Sequence, residues 1–149
     1  MGAANVNPAK EVAIHKYTQS LMGKPFEYGV NDCPLFAAGV LDILANTAIR
    51  DSLIGAWSDQ RGAWKYQKQH GGFYDHLVGN GCVEVEFHSA TTGDFFVMEQ
   101  KLAHEKKWRS IAVCLGLNTA LVTTEAGVTL IKTHDVPNIV KVLRYVGSE

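Results

Sequence analysis

The chain has 149 residues, 46% apolar and 19% charged, with a net charge of −1. That length can bury a real core, and that balance excludes intrinsic disorder. Scattered Lys and Arg at near-zero net charge leave no footprint for nucleic acid or an anionic membrane, and no apolar run approaches the roughly 20 residues that span a bilayer.

The pattern predicts one domain in three parts: an N-terminal helix over 1–24, a helical half over 25–80 and a β half over 81–149. Met1 to Pro8 lacks a basic stretch followed by an apolar one, so no secretory signal is expected. Asn7-Pro8 opens a helix that Gly23 closes after Met22. Val12, Ala13, Tyr17, Leu21 and Met22 form its expected apolar stripe. After a turn over Pro25 to Val30, a second helix starts at Cys33 and runs to Leu44 or Ala45. Phe36, Ala37, Val40, Leu41 and Leu44 recur on it at helical spacing.

Asn46 to Gly62 reads as a short helix and a loop. Ala63 to His70 reads as a helix closed by Gly71-Gly72, and Phe73 to Val78 as one more helical turn. Trp57, Trp64, Phe73 and Tyr74 make this middle region aromatic, which fits a satellite core packed under loops or a ligand platform.

Val83, Val85 and Phe87 alternate with Glu84, Glu86 and His88, the pattern of a half-buried strand. Ala90 to Asp94 is a turn, with Asp94 given a capping or turn role. Phe95 to Met98 is a strand, Gln100 to Arg109 a polar, basic hairpin loop, and Ile111 to Leu115 a buried strand. Ala120 to Thr124, Val128 to Lys132 and Val140 to Val146 complete the set. Helices followed by a meander of strands imply an α+β fold with an antiparallel sheet.

Three cysteines at wide spacing (Cys33, Cys82, Cys114) do not form a disulfide framework and fit a reducing cytoplasm. The six histidines are dispersed, so neither a metal nor a cofactor is expected. His15, His70 and His76 fall on helices and are expected to face solvent.

The segment with the most chemistry is Tyr28-Gly29-Val30-Asn31-Asp32-Cys33-Pro34. Asn31 and Asp32 suit a helix cap and Pro34 suits a first turn. Cys33 therefore sits at a helix N-terminus, where the dipole and unpaired N–H groups lower a thiol pKa. Two readings of Cys33 stay open: an activated nucleophile, and a small buried residue that starts a core helix.

Three motifs stand in order: the Asp32-Cys33 helix, the Gly93-Asp94-Phe95-Phe96-Val97 strand, and the Ile111 to Gly116 strand. This order resembles the NlpC-type cell-wall peptidase domain, a compact branch of the papain-like cysteine peptidases. Tyr28-Gly29-Val30-Asn31-Asp32-Cys33 and the later Gly71-Gly72 resemble a phage-encoded offshoot, whose genes usually sit among tail genes. The resemblance covers Pro25 to Val146 and implies a papain-like fold with Cys33 in the nucleophile position.

It also exposes departures. The position of the family's catalytic His carries Ser110, which cannot act as general base to a thiol near neutral pH. The position of the residue that orients that His carries Val122, with Thr123 beside it. His104 is the candidate replacement base, with His88 and His134 behind it. Period-2 alternation would set Ser110, Ala112 and Cys114 on the strand face that covers the Cys33 helix.

Two functions follow. One is a structural component of a bacteriophage tail tip or baseplate, carried in the virion tail, assembled in the host cytoplasm and contacting tail-tip, hub and distal tail proteins. Trp57, Trp64 and Arg109 are its candidate interface residues. The other is an active cysteine hydrolase, cutting peptidoglycan stem peptides or a tail protein, with Cys33 as nucleophile.

Overall fold

The computed structural model describes residues 7–70, 72–101, 107–116, 118–124 and 127–147. Five helices precede six strands: α1 Pro8–Leu21, α2 Cys33–Ala45, α3 Ile49–Leu53, α4 Gln60–His70 and α5 Phe73–Gly79, then β1 Cys82–Val85, β2 Phe95–Lys101, β3 Lys107–Gly116, β4 Thr119–Thr124, β5 Gly127–Lys132 and β6 Ile139–Tyr145. The fold is α+β, with an open, wholly antiparallel sheet in the order β1-β6-β2-β3-β4-β5.

Local chemistry starts the helices as expected. Asn7 accepts the Lys10 N–H at 2.8 Å, with Pro8 in the first turn of α1. Asp32 accepts the Leu35 N–H at 3.2 Å and begins α2 at Cys33. Helix α4 starts three residues before the expected Ala63, because Asp59 accepts the Gly62 N–H at 2.6 Å.

The buried stripe of α1 is Ile14, Thr18 and Leu21, rotated from the expected one. Val12 is 52% exposed and Met22 38%, while the half-buried Tyr17 lies along Gly39 of α2. A methyl group on Gly39 would stand 2.0 Å from the Tyr17 hydroxyl oxygen, so the two helices meet at this glycine.

Helix α2 is the central element, with ten buried residues from Cys33 to Leu44. The sheet lays Phe95, Val97, Ile111, Val113, Leu115, Leu121 and Leu143 against the helical layer. Its other face gathers Phe96, Met98, Ala112, Cys114, Ala120, Val122 and Val142. Cys114 is thus on the face away from Cys33, which corrects the expected assignment.

The link between β5 and β6, residues 133–138, crosses this outer face; it contains a 3₁₀ turn over Thr133–Asp135, and its Val136 packs into the outer cluster.

Three further expectations change. The two ends of the expected Gln100 to Arg109 loop are ladder, with Glu99 opposite Arg109, Gln100 opposite Trp108 and Lys101 opposite Lys107, while 102–106 lie outside the described residues. Strand β1 pairs only with β6, and as an edge strand it leaves Val83 46% exposed; Phe87 follows in a 3₁₀ turn, also 46% exposed. Finally, His76 is half-buried, with its ring tilted against Phe73.

Candidate functional site

The chain enters α2 through a tight turn. Gly29 has φ +78°, and a methyl there would collide with the Trp57 carbonyl oxygen at 1.9 Å, so only glycine fits. The Gly29 N–H donates to Asp32 Oδ2 at 2.9 Å, and the Trp57 indole Nε1 donates to the same oxygen at 2.6 Å. With Leu35 on Oδ1, the buried carboxylate holds three donors. Burial nevertheless pushes the Asp32 pKa up, against those hydrogen bonds. Asp32 is therefore a joint between the turn, the helix and the loop after α3. Trp57, 6% exposed, is a post in that joint, which corrects its expected place at an interface.

Cys33 is the first residue of α2 and is buried. The Cys114 N–H donates across to Asp94 at 2.8 Å, toward β2. Alternation turns the Ile111 N–H toward the opposite edge. The ladder to β4 reaches only Val113 opposite Leu121, and beyond it the Ile111 N–H meets the Cys33 sulfur. The Ser110 hydroxyl reaches the same sulfur. Cys33 packs with Ile111 in the inner cluster, while Cys114 lies in the outer one.

The electrostatics oppose activation. Burial drives the Cys33 pKa up to about 12, and the neighbouring Asp32 charge raises it too. Hydrogen bonds from the Ile111 N–H and the Ser110 hydroxyl act the other way and do not win. The lowered pKa expected from the helix N-terminus is overturned by desolvation.

A cleft of about 350 Å³ opens over this point. Cys33, Pro34 and Ile111 form its floor, and Trp64, Tyr74 and Arg109 stand around it. Arg109 stacks 4.7 Å from the Tyr74 ring centre and pairs with Glu99 at 3.4 Å. Lys141 donates to the Tyr74 hydroxyl at 3.0 Å. Trp64 and Arg109, both interface candidates, thus share one rim, Trp64 half-buried and Arg109 exposed.

No described residue lining the cleft is a histidine. His104 lies outside the described residues. His88 is paired with Glu86 at 2.8 Å, and His134 contacts Asn118 at 3.4 Å and Asp135 at 3.7 Å, all on the surface. Val122, at the expected orienting position, is packed in the outer cluster. Among the described residues, no group of three His, Cys, Asp or Glu could hold a metal ion. No described helix is long and apolar enough to cross a membrane.

Asp94 does more than cap its turn. It accepts the Thr91 N–H at 2.9 Å and takes both Nε and Nη2 of Arg144 at 3.1 and 2.9 Å. Arg144 also donates to the Ser89 carbonyl at 2.9 Å, so a buried ion pair fastens the turn before β2 to β6. Sequence reading missed this pair and the Asp32–Trp57 bond. Neither has a local signature, since their partners lie 50 and 25 residues apart.

The model of a family described as a domain of unknown function, DUF6950, matches residues 7–142. No curated protein matches the chain.

Proposed function

We propose that this chain, which belongs to the DUF6950 family, is a catalytically silent NlpC-type, papain-like domain used as a building block of a bacteriophage tail tip. The observation that carries the reading is the company of the Cys33 sulfur: a serine hydroxyl and a backbone N–H, in a buried site that keeps the thiol protonated. A papain-type nucleophile needs a base at that place, and Ser110 is not one near neutral pH. Core packing does not depend on catalytic side chains, so a scaffold can outlast its chemistry. The tail assignment rests on the Tyr28 to Cys33 segment and the Gly71-Gly72 pair, which resemble the phage offshoot. In this reading the partners are tail-tip, hub and distal tail proteins, met in the host cytoplasm during assembly. Trp64 and Arg109 on the cleft rim are the contact residues.

One observation favours the hydrolase alternative: Cys33 borders a cleft roomy enough for a peptide side chain. Two assays separate the readings. Purified tail proteins should capture the domain, and Trp64→Ala should weaken capture while leaving the fold intact. Absence of capture defeats the scaffold role. Cleavage of peptidoglycan fragments that is lost in Cys33→Ser would establish the enzyme instead.

A further inference from the structure

We infer that the outer face of α4 docks an extended acidic segment of a partner protein. Arg61, Trp64, Lys65 and Lys68 stand at successive helical positions i, i+3, i+4 and i+7, so they form one stripe. The opposite side carries the buried Ala63 and the half-buried Tyr66, whose ring packs 5.1 Å from Trp57 and 4.3 Å from His70.

The stripe is not explained by helix stability. Gln60 to His70 contains no acidic residue, so nothing within α4 balances its cations. Arg61 sits in the first turn, at the positive end of the helix dipole. Lys65 stands four residues from Arg61 and three from Lys68, both repulsive spacings. Asp59, just before the helix, is used as its cap.

The stripe also has a shape. Arg61, Trp64, Lys65, Lys68 and Gln69 line a concavity of about 690 Å³, which shares Trp64 and Lys68 with the Cys33 cleft. Lys68 Nζ lies over the Trp64 ring, 4.8 Å from its centre, so one cation and the aromatic wall are already held together. Three cations around one aromatic wall complement carboxylates spaced along a single strand. An acidic polypeptide is favoured over nucleic acid because the chain as a whole carries a charge of −1 and offers no extended positive field.

The inference rests on Trp64 as an interface residue and adds the chemistry of its partner. The probe is a fluorescently labelled peptide of alternating Glu and Gly, followed by anisotropy at low and high salt. The expected result is saturable binding that weakens with salt and falls about tenfold or more in Arg61→Glu/Lys65→Glu. That variant should bind the matching Lys and Gly peptide instead. Circular dichroism checks its fold, and should it not fold, Lys65→Gln alone is expected to weaken binding. No peptide binding at low salt overturns the inference, as does binding indifferent to these substitutions or tighter binding to DNA or anionic vesicles. Tail-protein capture without peptide affinity overturns this inference and spares the tail role; peptide affinity without tail-protein capture does the reverse.

Discussion

The Trp57 indole nitrogen stands 2.6 Å from Asp32 Oδ2, inside the protein, and so ties the loop after α3 to the residue that caps α2. A buried carboxylate that loses a donor keeps its desolvation cost and loses compensation. Trp57→Phe keeps an aromatic ring in the site but removes the N–H together with the indole's five-membered ring. It is expected to cost about 1–3 kcal/mol, read as a lower denaturant midpoint at unchanged slope. No loss of stability would mean that the indole bond is redundant.

The Asp94–Arg144 pair makes a harsher prediction. Breaking a buried pair from one side strands a charge and typically costs about 3–5 kcal/mol. Arg144→Met is expected to fall in that range. Asp94→Asn/Arg144→Met together should cost much less than the sum of the single changes. Additive losses in the double-mutant cycle would show that the two groups do not act as a pair.

These two pairs also mark what the sequence could express. The start of α2 at Cys33 was legible because Asp32 and Pro34 act within a turn of it. The order of motifs singled out Ser110 as the residue at the family's histidine position, without placing its hydroxyl against any atom. The face of β3 was not legible: alternation fixes which residues share a side, and one wrong anchor turns every residue over. Ser110 was that anchor: it was set on the face toward Cys33, and Ala112 and Cys114, which alternate with it, lie in the outer cluster. Trp57 and Arg144 were beyond local reading, because nothing near either residue announces a carboxylate on a distant segment.

The Cys33 and Cys82 thiols, ordinarily at 9.0, are both pushed up to about 12 by burial. Above pH 9.0 the unfolded chain loses protons that the folded chain keeps. Stability is therefore whole below that pH and declines as the pH rises toward about 12. Each thiol contributes a slope approaching about 1.4 kcal/mol per pH unit. Cys33→Ala should flatten the alkaline slope in urea melts, whatever its effect at neutral pH. Equal slopes in the two proteins would mean that folding does not hold this proton.

The same argument sets the reactivity of the sulfur. Only the thiolate is alkylated, so iodoacetamide should modify Cys33 slowly at neutral pH, with the rate rising into the alkaline range. Ser110→His would put an imidazole where the hydroxyl now meets the thiol. A neighbouring imidazolium stabilises thiolate and lowers the thiol pKa. The expected outcome is neutral-pH alkylation of Cys33 faster by about tenfold or more, with a new inflection in the pH–rate profile near the ordinary histidine value, about 6.5. Cys33→Ser on the same background should abolish the gain, which separates Cys33 from the other two thiols. If Ser110→His leaves the profile unchanged, the missing base does not explain the thiol's silence, and desolvation alone keeps it inert.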